Sequence, residues 1–357
     1  MIVVDAHQDI AYNALSFGRD YLKSALEKRQ LEQNTDVPEK NGLATCGLPD
    51  ALLGRVAVIF ATLFVAPARA NDPSWDVLTY QTPREAYELG IKQYDHYQRL
   101  LDRSDKLRLI THKKDLESVL ETWSPDKDIA DHKQGFVLLM ENGDPILEPR
   151  QFEEWYARGV RVVGPAWKAS RYCGGTGEPG GLTSLGRELL EVLASFNTLL
   201  DLSHMAEQSF LESVDRYDGH LIASHSNPRK FRNTDRHLTD DMIRRLAERD
   251  GVMGVVIYNS FLSDNWSKGM RKEAITFDRV LDVIDYYCQL TGSSAHVGIG
   301  TDFDGGFGVK SIPEGFDTIM DILTIGDGLR ARGYAENDIE AILSGNMLRK
   351  LRAVLPD

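Results

Sequence analysis

Short apolar runs alternate with longer amphipathic stretches along this chain. Eight runs, at residues 2–5, 56–64, 135–140, 160–163, 198–202, 221–223, 252–257 and 296–300, are rich in Val, Ile, Leu and Phe and show little polar alternation. A strand with one solvated face alternates, whereas a strand buried on both faces, as in a parallel sheet, reads as a continuous apolar run. Between the runs lie helical patterns. Residues 83–101 place apolar side chains at helical spacing, and 185–196 follow Thr183 and Ser184, which offer a cap. Thr239, Asp240 and Asp241 open a further helix that Gly251 closes, with the acids set against the positive end of its dipole. Residues 338–354 form a last helix or pair of helices.

Eight strands interleaved with helices predict a (β/α)8 barrel of the TIM type rather than a two-domain Rossmann arrangement. No Pro/Ser-rich linker, repeat or low-complexity tract divides the 357 residues, so one barrel domain over residues 1–357 is expected. The polar, turn-rich segment 18–48 reads as an elaboration of the loop after the first strand. The segment 168–181, which contains GGTGEPGG, reads as a flexible loop over the fourth strand.

Several strand ends carry metal-ligand chemistry. They are His7 and Asp9 in VVDAHQD, Glu141 in FVLLMEN, His204 in LLDLSHM, His225 in LIASHSN and Asp302 in VGIGTDFDG. A metal needs deprotonatable donors gathered from distant parts of the chain, and barrel strands deliver their C-terminal ends to one rim. His7 and Asp9, two apart on a strand, point to the same face. Glu141 closes an apolar run, where an unpaired carboxylate is costly and calls for a cation or hydrogen bonds. His204 and His225 each follow a Ser, and neutral imidazole is a common ligand for zinc and similar ions. Any one of these alone reads more readily as structural. Six in the same setting point to a hydrolytic metal centre.

Asp302 beside a metal-activated water suits a proton shuttle, and Asp304 reads as a turn residue capping the loop. Arg236 could bind a substrate carboxylate bidentately; the competing reading is a surface ion pair with Asp235 or Asp240. Tyr258, at the end of the seventh run, fits a pocket wall or a core aromatic equally. The other six histidines, His237, His96, His112, His132, His220 and His296, lack the strand-end setting and read as structural or exposed. Cys173 supports no nucleophilic role, and no GxSxG elbow, HExxH helix or P-loop is present.

Composition narrows the partners. With 42% hydrophobic and 27% charged residues a soluble globular protein is expected. The formal net charge of −13 disfavours nucleic acid and anionic membrane surfaces. The three cysteines, Cys46, Cys173 and Cys288, are far apart and odd in number, which favours a reducing, cytoplasmic setting over a disulfide framework. MIVVDAHQD runs directly into a strand with no signal-peptide pattern, and no stretch of about 18 apolar residues marks a membrane span.

DAHQD at 5–9, ENGDP at 141–145, LDLSH at 200–204, ASHSN at 223–227, RHLTDD at 236–241, GIGTDFDG at 298–305 and GNMLR at 345–349 occur in an order and spacing that resembles the membrane dipeptidase (renal dipeptidase) family of zinc peptidases, peptidase family M19, in the amidohydrolase superfamily. The resemblance runs almost the whole length. It implies a (β/α)8 barrel holding two divalent ions, zinc in the family. His7 and Asp9 would ligate the first, His204 and His225 the second, and Glu141 would bridge them. It implies Asp302 as the catalytic acid–base and Arg236 as the holder of the substrate carboxylate. Family members hydrolyse dipeptides, often with a D-residue at the C-terminal position, and soluble ones are often homodimers. One position departs: where renal-type members carry a substrate-contacting His after the fourth strand, this chain has Trp167, whose indole N–H cannot take up or give a proton. That departure keeps open a related reaction on another small amide, such as an N-acyl amino acid, or on a lactone. A vestigial metal-binding member without turnover is the remaining alternative.

Overall fold

The computed structural model describes residues 1–70 and 75–357. Eight parallel strands form its centre: β1 (Val3–Gln8), β2 (Val56–Phe64), β3 (Gln134–Glu141), β4 (Val160–Gly164), β5 (Leu199–Asp201), β6 (Leu221–Ala223), β7 (Val252–Val255) and β8 (Val297–Ile299). Their order is β2-β1-β8-β7-β6-β5-β4-β3, and pairing of β2 with β3 from Val58↔Gly135 to Phe64↔Glu141 closes the sheet into the expected (β/α)8 barrel. All eight predicted runs become barrel strands.

The lack of alternation has a direct cause. On β3, Phe136, Leu138 and Met140 pack outward with helix residues such as Tyr97, Phe152 and Trp155. Val137 and Leu139 point the other way, into a core with Val4, Val58, Phe60, Val162, Leu199, Ile222 and Val252. Both faces are buried, so both are apolar. Met347, Leu351 and Val354 of the C-terminal helix Asn346–Val354 join that inner cluster. Gly254 and Gly300 let strands pass close to β6: a Cβ on either would come within 2.0 Å of the Ser224 carbonyl oxygen, at 1.8 and 1.9 Å.

Helix starts follow the capping residues. Thr82 and Glu85 form a reciprocal capping box on Pro83–Arg103, Thr183 accepts from the Gly186 amide on Ser184–Ser195, and Thr239 accepts from the Met242 amide on Asp240–Glu248. That last helix ends before Gly251. The left-handed residue after it is Asp250, at φ 56°, and Gly251 has no positive φ.

Two local expectations are corrected. Leu107–Leu109 forms a ninth strand against the start of β3; three residues with a central Arg carry too little pattern to be seen. Residues 168–172 are irregular as expected, but the glycine-rich part that follows is an antiparallel pair, Cys173–Gly175 with Glu178–Leu182. Its glycines serve close approach rather than flexibility, since a Cβ on Gly174 would lie 2.5 Å from the Gly180 amide nitrogen. Segment 18–48 does elaborate the loop beyond β1, with helices Ala25–Leu31 and Val37–Lys40. Asp304 fastens it, accepting from the Thr45 amide and hydroxyl, both at 2.7 Å, and from the Cys46 amide at 3.3 Å. Asp304 is structural, as expected, but its carboxylate ties a distant segment to the barrel rather than capping its own loop. No helix among the described residues is long and apolar enough to cross a membrane.

One half-buried histidine outside the barrel rim is expected to make stability pH-dependent. Burial, aided by Arg99, pushes His96 down to about 4, and its Nε2 has no hydrogen-bond partner. The folded chain therefore binds the proton less readily than the unfolded one, so stability is intact above about pH 6.5 and falls as pH drops toward 4. Discounted for partial exposure, the loss is about 1–2 kcal/mol. Urea titrations of the wild type and of His96→Gln at pH 7.0 and 4.5 should show a smaller acid loss in the variant; equal losses would remove His96 as the cause.

Candidate metal centre

The strand ends converge at the C-terminal rim as the patterning predicts. Glu141 ends β3 and is 4% exposed. Its two oxygens face different partners: Oε1 lies 3.3 Å from His204 Nε2 and 3.6 Å from His225 Nε2, while Oε2 lies 3.4 Å from His7 Nε2. His7 Nε2 is also 3.7 Å from Asp9 Oδ1 and 3.9 Å from Asp302 Oδ1. The two histidines beyond β5 and β6 bring their Nε2 atoms to 3.0 Å of each other. Donor atoms each about 2.1 Å from a tetrahedral ion stand roughly 3.4 Å apart, so these spacings suit a shared cation better than direct hydrogen bonding. Among the described residues, neither ring nitrogen of buried His7 has a hydrogen-bond partner, an arrangement costly unless something else is bound.

In His204 and His225 the ring nitrogen facing away from the centre is held by the chain. Thr176 Oγ1 lies 3.1 Å from His204 Nδ1. Ser224 Oγ lies 2.7 Å from His225 Nδ1 and donates to Asp201 at 2.5 Å, and Asp201 also accepts from the Ser203 and Ser224 amides at 3.0 and 2.8 Å. Thr62 donates to Asp9 Oδ1 at 2.5 Å. Such partners set ring orientation in metal sites. Thr62 and Asp201 escaped the sequence reading because a buried polar residue in an apolar run announces no partner, and half-buried Thr176 because nothing in its glycine-rich segment points to a histidine 28 positions on; only the Ser before each His left a trace.

Two site residues adopt left-handed backbone: His204 at φ 65° and Asp302 at φ 58°. Non-glycine residues there cost stability and cluster at functional positions. Gly305 leaves room for Asp302, since a Cβ on it would fall 2.0 Å from Asp302 Oδ1.

Electrostatics separate the groups. Burial, reinforced by positive neighbours including Arg236 and His7, drives His204 and His225 well below the ordinary His range. Their rings are neutral at physiological pH, as metal binding requires. Burial also opposes charge on His7, but Glu141 and Asp9 together outweigh it and hold that ring well above the usual range. Burial raises the Glu141 carboxyl and, more strongly, that of Asp302, to which Asp9 and Glu141 add repulsion.

Above the donors opens a cavity of about 470 Å³ that includes Trp167, Arg236, Tyr258 and Asp302 in its lining. Arg236 is 6% exposed and pairs with neither Asp235 nor Asp240, so the surface-pair reading is set aside. It donates from Nη2 to the His225 carbonyl at 2.6 Å and from Nη1 to Ser226 Oγ at 3.1 Å, and its Nε has no partner. Trp167 meets Phe64 edge-on at 5.3 Å and lies 6.2 Å from the His204 ring. Tyr258 stacks on Phe307 at 4.2 Å. Cys173 is buried outside the cavity lining, its thiol pushed up to about 12 by burial.

A buried cluster of imidazoles and carboxylates on the rim of a (β/α)8 barrel, below an open cavity, defines a metal-dependent hydrolase class. The comparisons narrow it. The sequence pattern of the family described as membrane dipeptidase (peptidase family M19) matches residues 1–355, and the chain belongs to that family of hydrolytic enzymes. An uncharacterized protein from the pqqA 5′ region of Klebsiella pneumoniae is 32% identical over 216 residues, 58% of this chain and 77% of that protein. Dipeptidase 3 of Rattus norvegicus is 22% identical over 76% of this chain and 53% of its own length. Among solved structures, a metallo peptidase from Rhodobacter sphaeroides liganded with a phosphinate mimic of the dipeptide L-Ala-D-Ala superposes with TM-score 0.79 at 21% identity, covering 99% of both chains. The probable dipeptidase PvdM from Pseudomonas aeruginosa gives 0.78 at 19%, covering 99% of this chain and 96% of its own. At those identities the two structures speak for the fold.

Proposed function

We propose that the chain is a dipeptidase working with two divalent ions, zinc by the character of the donors. His7 and Asp9 would hold one, His204 and His225 the other, with Glu141 shared. The observation that carries this reading is the divided Glu141 carboxylate, with one oxygen toward the His204–His225 pair and the other toward His7. Bound there, the ions would supply Lewis-acid polarisation of the scissile carbonyl and an activated water.

The remaining work falls to side chains. Asp302 sits where its carboxyl holds a proton readily; its Oδ1 accepts the proton of the attacking water and returns it to the leaving amine. Arg236 is anchored through one hydrogen bond from each terminal nitrogen and keeps the second hydrogen of each for the substrate's C-terminal carboxylate. Trp167 and Tyr258 supply apolar walls, and neither is asked to move a proton. Acceptance of a C-terminal D-residue is part of this reading, supported by the L-Ala-D-Ala mimic on the Rhodobacter sphaeroides relative. The three unpaired cysteines accord with a cytoplasmic setting.

Hydrolysis of a mixed-stereochemistry dipeptide panel by the zinc-reconstituted protein, abolished by chelator, is the expected result. Inactivity on every dipeptide with both ions bound would overturn it and direct attention to N-acyl amino acids and lactones. Arg236→Ala should raise KM for dipeptides with a free carboxylate by about 10- to 100-fold, the scale of a lost charge-assisted bond, and leave amide-capped substrates nearly unchanged. An equal rise for capped and free substrates would remove the carboxylate role.

A further inference from the structure

The cavity carries more positive charge than this chemistry uses. In a chain of formal net charge −13, Lys40, Lys168, Lys268 and Arg236 all line it. Arg236 is assigned to the C-terminal carboxylate, and Lys40 is paired with Asp36 at 2.6 Å. Lys168 and Lys268 form no ion pair among the described residues. Carboxylates near Lys168 have closer partners: Glu178, which also feels the Lys168 charge, pairs with Arg69 at 2.6 Å, and Asp235 accepts from the Gly177 amide at 2.7 Å. The acids lining the cavity, Asp9, Glu141 and Asp302, are those already given to the metal centre and the proton.

The two lysines come from different sides. Lys168 follows Trp167 beyond β4, with its ammonium 5.8 Å from that indole. Lys268 lies on the segment beyond β7 that also provides Tyr258 and Phe261, and the Arg236 guanidinium stands 5.3 Å over the Phe261 ring. β4 and β7 are three strands apart in the closed barrel.

Resting on the dipeptidase reading, we propose that the enzyme prefers dipeptides bearing an acidic side chain, Asp or Glu, and that Lys168 and Lys268 recognise this second carboxylate. Unpaired cations lining a cavity raise the local concentration of an anionic substrate and favour its bound form. Both ammoniums are solvated, so the preference is moderate and screened by salt.

Charge is isolated by comparing Ala-Glu with Ala-Gln and Glu-Ala with Gln-Ala on the zinc-loaded enzyme. At low ionic strength the acidic member of at least one pair should have kcat/KM about tenfold higher, chiefly through KM. The ratio should narrow in 0.5 M NaCl and approach one in the double variant Lys168→Gln, Lys268→Gln. A ratio near one in the wild type, or one unchanged in the double variant, overturns the preference. Cleavage of Ala-Gln reports separately on the parent reading: cleavage without preference removes only this inference, whereas no cleavage of any of the four removes both.

Discussion

Glu141→Gln is expected to leave the folded barrel intact, to bind fewer than two zinc ions per chain, and to lose dipeptide turnover by about 10³-fold or more. The substitution keeps the shape of the side chain and removes its charge. Because Oε1 and Oε2 face different histidines, it strikes both halves of the centre at once, unlike any change at a single His. The amide would bring an NH2 donor against rings that burial keeps neutral or against the unpartnered His7 nitrogens. Metal content by atomic spectroscopy and turnover by ninhydrin assay give the two readouts. Full zinc occupancy with undiminished kcat would show that Glu141 bridges nothing.

Asp302→Asn separates proton transfer from metal binding. A carboxamide fits the space that Gly305 leaves open yet cannot hold and release a proton, so kcat should fall by about 10²- to 10⁴-fold with zinc content and KM close to wild type. The geometry offers a second possibility, since His7, Asp9 and Asp302 present donor atoms within 4.8 Å of one another. Of the three carboxylates facing His7 Nε2, Asp302 is the farthest, at 3.9 Å against 3.7 Å for Asp9 and 3.4 Å for Glu141, which favours the proton role. If the variant loses zinc along with activity, Asp302 is a ligand and the acid–base must be sought elsewhere.

How much was legible beforehand depended on the kind of information. Strands buried on both faces are continuous apolar runs, and every one of the eight was visible; Leu107–Leu109 was not, because a three-residue strand interrupted by Arg108 has no period to detect. The glycine-rich segment before Leu182 was misread as loose because glycine permits both flexibility and close packing. Only the neighbouring backbone, with Gly174 against Gly180, decides between them. Arg236 could not be told from a surface cation, since burial is a property of the assembled chain.

The barrel and the donor types were legible in the chain alone, because continuous apolar runs and residue chemistry are local and recur from strand to strand. Tertiary structure alone decided which oxygen of Glu141 meets which imidazole and that Ser224 and Asp201 stand behind His225. It alone placed Lys168 and Lys268, which form no ion pair among the described residues, in the wall of the cavity. Apart from Ser224, which adjoins His225, those are relations between residues far apart in the chain. They exist only once barrel closure, through the pairing of β2 with β3, fixes the distances between the strand ends.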